Sequence, residues 1–263
     1  MPAIEPETDL SLLIRAAEVA GDIACRYTQS SVKTWDKPGG AGPVTEADLA
    51  VNAALADLLK PARPDYGWLS EETDDSSERL SRDQVFIIDP IDGTRSFVDG
   101  SRTWAHALAT AVNGAITAAV VFLPQRDLMY TASHGGGAFC NGQAIEVAAT
   151  EQMEQAEILA AKPALSADLW GSAGVPPFRQ AHRPSLAYRM ARVADGRFDG
   201  MITLRPSWEW DIAAGDLIIR EAGGTTSDRR GNRLRFNNPH PTVDGVLAAA
   251  PHLHRDLLSA LAI

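Results

Sequence analysis

Apolar residues near the start of the chain recur on one helical face: Leu13, Ala17, Ala20 and Ala24 are spaced by three or four positions and follow Thr8 or Asp9, either of which can act as an N-cap. The spacing predicts a scaffold helix reaching about residue 28. Thr45 and Asp48 have the spacing of a capping box, and Val51, Ala54, Leu55 and Leu58 give the next helix its apolar face until Pro61, which is expected to stop it. The period then changes. Residues 85–88 form a continuous apolar run, and 104–112, 116–122 and 128–131 read as strands. Asn113-Gly114 supplies a type I′ hairpin turn, Asn141-Gly142 repeats that signal before Ile145 and Val147, and Gly135-Gly136-Gly137 marks a further hairpin or loop. The first half is expected to place helices on a mostly antiparallel sheet.

Beyond residue 150 short strands and helices alternate: strands at 157–161, 200–204 and 245–249, and helices at about 185–194 and 212–222, the second closed by Gly223-Gly224. This predicts an α+β first half over 1–150 and an α/β second half over 151–263, in a chain of 263 residues that can bury a large core.

Charge narrows the function classes. With 34 acids against 24 lysines and arginines the formal charge is −10, which argues against a nucleic-acid or anionic-membrane surface. An acidic pocket that handles phosphates would need cations to reverse its local field. Cys25 and Cys140 stand far apart, form no metal-ligand pattern, and read as structural thiols. The first seven residues lack a basic and an apolar targeting region, and no run has transmembrane length, so a cytoplasmic enzyme is the expectation.

The candidate chemistry centres on Asp89-Pro90-Ile91-Asp92-Gly93-Thr94. A strand ending in Asp89 presents one carboxylate, Pro90 is expected to bar its continuation, and Asp92 returns a second carboxylate to the same pocket. Gly93 and Thr94 then offer backbone N–H groups to an anion. The same dipeptides also mark ordinary turns.

Trp68-Leu69-Ser70-Glu71-Glu72 lies upstream, and Trp208-Glu209-Trp210-Asp211-Ile212-Ala213-Ala214-Gly215-Asp216 lies downstream, followed by Glu221-Ala222-Gly223-Gly224. With these three segments in this order, the chain resembles the inositol monophosphatase superfamily of metal-dependent, lithium-sensitive phosphatases over nearly all its length. Pro43-Val44-Thr45-Glu46-Ala47-Asp48 and Gly137-Ala138-Phe139-Cys140-Asn141-Gly142 match as well.

The resemblance implies the layered α-β-α-β-α sandwich of inositol monophosphatase and fructose bisphosphatase, with the active site between its halves. It implies two or three Mg²⁺ ions held by Glu71, Asp89, the Ile91 carbonyl, Asp92 and Asp211, with Asp89 bridging. The family's roles place Glu71 and Thr94 on the attacking water, Asp48 behind Thr94, and the Gly93 and Thr94 N–H groups around the phosphate. Lys37 matches a phosphate-proximal lysine, although a solvated surface lysine explains it nearly as well. Asp211, at a helix start, can also act as an N-cap. Glu72 reads as an acid behind the ligands. Trp208 and Trp210 read as packing residues rather than a base-stacking platform, and the six histidines form no zinc-type set.

Inositol-specific relatives carry a second threonine and an asparagine after the Gly-Thr, where this chain has Arg95-Ser96, and an acid where it has Leu204. Arg95 suits a second anion on the substrate, or pairs with a nearby acid. The expected reaction is hydrolysis of adenosine 3′,5′-bisphosphate to AMP and phosphate, because that branch carries lysine or arginine after the Gly-Thr and is similar through 185–200. Inositol-1-monophosphatase and histidinol-phosphate phosphatase are the alternatives. A non-catalytic phosphate-binding relative is a different class, and the intact Glu71, Asp89, Asp92, Thr94 and Asp211 set argues against it. The expected partner is a small phosphate ester, with no nucleic acid and no membrane. Relatives often form homodimers.

Overall fold

The computed structural model describes residues 7–28, 32–37 and 42–262. Residues 1–6, most of the segment read for targeting signals, lie outside them. Among the described residues no helix is long and apolar enough to cross a membrane.

Helix α1 (Asp9–Tyr27) starts at Thr8, whose hydroxyl accepts from the Ser11 N–H. Strands β1 (Thr34–Asp36) and β2 (Pro43–Thr45) pair into a small ribbon that leads into α2 (Glu46–Ala62), and the capping box is formed in both directions. Pro61 does not stop α2. It sits in the last turn, where its missing N–H costs a single hydrogen bond, and the Arg63 N–H still reaches the Leu59 carbonyl at 3.0 Å.

Seven strands follow: β3 (Gly67–Ser70), β4 (Gln84–Asp92), β5 (Ala105–Val112), β6 (Ala115–Leu123), β7 (Leu128–Ser133), β8 (Gly137–Cys140) and β9 (Gln143–Ala144), with the short helix α3 (Thr94–Val98) after β4. They pair in chain order, and only β3 and β4 run parallel. Asn113-Gly114 and Asn141-Gly142 take positive φ at both positions, as type I′ turns require. The second turn feeds a strand that ends at Ala144, so Ile145 and Val147 lie beyond it.

The second sheet contains β10 (Glu157–Ala160), β11 (Arg179–Ala181), β12 (Gly200–Trp208), β13 (Thr225–Ser227) and β14 (Thr242–Ala249), in the order β11-β10-β12-β14-β13. Helices α4 (Leu186–Ala194) and α5 (Glu209–Glu221) lie between the two sheets, while α1 and α2 cover the outer face of the first. The outer face of the second sheet packs on α6 (Pro251–Ala260), which was not expected, although Pro251 at its first position with Leu253 and Leu257 four apart is a readable helix signal. The layers are thus α-β-α-β-α. Burial on both faces explains the continuous apolar run in β4: Val85 and Ile87 pack toward α4 and α5, Phe86 and Ile88 toward α1 and α2.

The two large sheets each carry a bulge in the strand that leads to the cavity. In β4, Asp89 pairs with Ala107 and Asp92 with Ala105, so Pro90 and Ile91 together face His106. Pro90 therefore does not end the strand; its missing N–H falls in the bulge, and its carbonyl takes a hydrogen bond from the buried His106 ring. In β12, Thr203 pairs with Val246 and Pro206 with Asp244, so Leu204 and Arg205 face Gly245. Gly245 has φ +76°, and a Cβ there would lie 2.8 Å from the Thr203 carbonyl oxygen. The strand continues past the expected end at 204 because the bulge absorbs the irregularity.

Candidate active site

The bulge in β4 sets the spacing of two carboxylates at the strand's C-terminal end. Asp89 and Asp92 meet Asp211 from the first turn of α5, and one oxygen of each lies within 4.8 Å of the others. Asp211 is not an N-cap. The cap position is Trp208, so the Asp211 side chain, three residues into the turn, is left to join the cluster. Glu209 anchors that turn: it is fully buried and accepts from the Asn237 and Asn238 N–H groups at 2.6 and 2.9 Å.

The cluster is electrostatically strained. Burial, then the charges of Glu71, Asp92, Asp211 and Asp48, holds the Asp89 carboxyl well above the usual range. Burial pushes Asp92 up to about 6, against hydrogen bonds from the Ser185 hydroxyl at 2.5 Å and the Ala187 N–H at 2.6 Å. Asp211 is raised by burial and by Asp92 and Glu71, with Arg205 opposing. Oδ1 of Asp89 is buried without a hydrogen-bond partner. An orphaned, buried carboxylate oxygen among other carboxylates is what a hard divalent cation satisfies, so these residues fit a metal.

Glu71 faces the same cavity, but its Oε1 lies 2.7 Å from Nζ of Lys37, which also contacts Glu72 at 2.7 Å. Burial alone would lower the Lys37 ammonium; the two glutamates outweigh it and hold it above its usual range. Glu72 is pushed up to about 7 by burial, with Lys37 opposing. Lys37 is thus paired with both glutamates, one of which faces the cavity.

Thr94 opens α3. Its hydroxyl lies 3.3 Å from Oδ1 of Asp48 and 3.3 Å from the Ile91 carbonyl, while Oδ2 of Asp48 accepts from the Thr45 N–H at 2.8 Å. The capping box of α2 thus fixes the carboxylate that contacts Thr94. Burial pushes Asp48 up to about 6, against the bonds from Thr45. Gly93, at φ +97°, turns the chain out of the strand, and the first N–H groups of α3 have no intrahelical acceptor.

Glu71, Asp89, Asp92, Gly93, Thr94, Arg95 and Asp211 all line one cavity of about 800 Å³ between the two sheets. Its other wall carries residues not singled out from the sequence: His182, Arg189 and Arg205. Arg189 is buried and donates to the Arg183 and Pro184 carbonyls; Arg205 sits on the bulge of β12. No local motif announces them. Leu204 lines the cavity as well, and Trp208 stands exposed at it while Trp210 packs against the core. Cys25 and Cys140 are free and half-buried, and burial raises both thiols.

The chain is similar to known proteins over nearly its whole length. The model of the inositol monophosphatase family matches residues 5–262. The inositol-1-monophosphatase of Rhizobium meliloti is 37% identical over 237 residues, 84% of this chain and 86% of the relative. The Nus factor SuhB of Escherichia coli K12 is 32% identical, covering 84% and 85%. Among solved structures, the extragenic suppressor protein suhB of Bartonella henselae superposes with a TM-score of 0.80 at 30% identity, covering 94% of this chain and 96% of the other. The Thermotoga maritima IMPase gives 0.81 at 26% identity, covering 95% of each. A family match across nearly the whole chain, on a fold that gathers acidic residues around one cavity, identifies this protein as a member of the inositol monophosphatase family and a metal-dependent phosphomonoesterase.

Proposed function

We propose that this phosphatase hydrolyses a phosphate monoester bearing a second anionic group, with adenosine 3′,5′-bisphosphate as the favoured substrate and AMP and phosphate as products. The observation that carries this reading is the division of charge across the cavity. Asp89, Asp92, Asp211 and Glu71 share it with Arg95, Arg189 and Arg205, while Leu204 offers no acceptor for a ring hydroxyl. Among the described residues none of these arginines lies within ion-pair distance of a carboxylate. Burial pulls the Arg189 guanidinium below its usual range, with Asp92 opposing and the Arg205 charge adding to the effect, so a further anion beside them would offset part of that cost.

Mg²⁺, held by Asp89, Asp92, Asp211, Glu71 and the Ile91 carbonyl, would supply Lewis-acid stabilisation of charge on the phosphoryl and leaving oxygens. The remaining work belongs to the chain. The Thr94 hydroxyl, held between Asp48 and Ile91, orients the attacking water, and Glu71 receives its proton. The Gly93 and Thr94 N–H groups hold the phosphate, and Arg95 binds the second anion. Lys37 keeps Glu71 and Glu72 together beside the phosphate.

The test is phosphate release with Mg²⁺ from adenosine 3′,5′-bisphosphate, inositol 1-phosphate, histidinol phosphate and fructose 1,6-bisphosphate. The highest kcat/KM is expected on the adenosine ester; a preference for inositol 1-phosphate would overturn the substrate. Arg95→Ala should lower kcat/KM on the adenosine bisphosphate by roughly 10- to 150-fold, the worth of one charge-assisted hydrogen bond, and affect adenosine 3′-monophosphate less. Inositol 1-phosphate is the second reading, favoured by the name of the Rhizobium meliloti relative.

A further inference from the structure

We propose that the exposed face of Trp208 stacks on the nucleobase of the substrate and selects nucleoside bisphosphates over phosphorylated polyols; this rests on the substrate reading above. Trp208 is the last residue of β12, beyond the bulge that carries Leu204 and Arg205, and it lines the catalytic cavity together with Asp211. It is 41% exposed, whereas Trp104 and Trp170 are 1% and 3% exposed. Packing accounts for those two rings and leaves the solvent-facing surface of Trp208 without a role.

The ring is held rather than loose. Its indole lies parallel to Trp210, with centroids 4.7 Å apart and an interplanar angle of 8°. His240 meets it at 5.4 Å and 64°. Trp210 in turn packs against the central core, so the stack is fixed to the body of the protein at the start of α5. An aromatic surface fixed in this way gives up little side-chain freedom when a planar group lies on it. Arg205 is close in the chain and lines the same cavity, so a ligand spanning the acidic cluster and the arginines brings its remaining ring system toward Trp208. A nucleobase has the flat π-surface this arrangement favours; a polyol does not.

The experiment compares the wild-type protein, Trp208→Leu and Trp208→Phe, with Mg²⁺, on adenosine 3′,5′-bisphosphate and on ribose 3,5-bisphosphate, which keeps both phosphates and the sugar but lacks the base. The ratio of kcat/KM between the two esters is expected to fall by about 5- to 150-fold in Trp208→Leu, through KM, and to recover most of the way in Trp208→Phe. Equal losses on both esters, or no loss on either, would overturn the stacking assignment, and a wild-type preference for these bisphosphates over inositol 1-phosphate would leave the proposed function standing. A wild-type preference for inositol 1-phosphate would instead refute the substrate reading and remove the base with it.

Discussion

Ser185, the N-cap of α4, donates a 2.5 Å hydrogen bond to Oδ2 of Asp92 at the end of β4, and the Ala187 N–H donates to the same oxygen at 2.6 Å. A carboxylate in the first sheet is thus oriented by a helix of the central layer. Ser185→Ala removes one of these bonds and the cap that serves the Tyr188 N–H. It should cost about 0.5–2 kcal/mol of stability and raise the Mg²⁺ concentration for half-maximal activity on the order of 10-fold or more. Urea unfolding and an Mg²⁺ titration of activity measure the two effects; an unchanged titration would mean that Asp92 needs no such support.

Thr94→Ala should lower kcat by on the order of 10² to 10⁴ with a smaller change in KM, as expected of a group that matters mainly in the transition state. Asp48→Asn keeps an oxygen for the Thr45 N–H, so α2 stays capped, but weakens the acceptor facing the Thr94 hydroxyl. Its loss should resemble that of Thr94→Ala, and the double mutant should lose little more than either single one. Additive losses in the double-mutant cycle would separate the two residues.

Asp89→Asn and Asp211→Asn should abolish phosphate release at any Mg²⁺ concentration while raising the Tm of the metal-free protein at pH 8. Each removes a charge from a buried set of like charges. Thermal scans in EDTA check this, and a lowered Tm in both variants would show that the carboxylates support the fold rather than oppose it.

The pH dependence of metal-free stability has a definite sign. Asp48 and Asp92 are raised from ordinary carboxylate values to about 6, so between about pH 4 and pH 6 the folded state binds more protons than the unfolded one. Their contribution therefore falls as pH rises through that window. Mg²⁺ binding offsets the loss, so the Tm increment from Mg²⁺ over EDTA should be larger at pH 8 than at pH 5. Equal increments would place the ion away from these carboxylates.

Gly245→Ala should destabilise the protein by about 1–3 kcal/mol, because φ is +76° there and the new Cβ would press on the Thr203 carbonyl at 2.8 Å. The strained backbone faces the bulge that presents Leu204 and Arg205, so substrate discrimination should change along with stability. Calorimetry combined with the phosphate-ester panel tests both; a full-stability variant would mean that the bulge relaxes freely.

Local chemistry alone determined much of this protein. The faces of α1 and α2, the Thr45 and Asp48 capping box and the two Asn-Gly hairpins follow from side-chain spacing and turn preferences within a few residues, and the acidic motifs at 71, 89–94 and 211 are short and ordered along the chain. What these segments do to one another was decided only in three dimensions. Pro90 reads as a breaker, yet its strand runs on, because the opposite strand supplies the pairing that lets a bulge absorb a missing N–H. The bond from Ser185 to Asp92, the gathering of Arg95, Arg189 and Arg205, and the exposure of Trp208 against the burial of Trp104 depend on which surfaces two packed sheets leave open. Spacing along a chain encodes which face a residue takes within its own element. The neighbours across a cavity follow from how separate elements pack, and that is settled by the burial of the core as a whole.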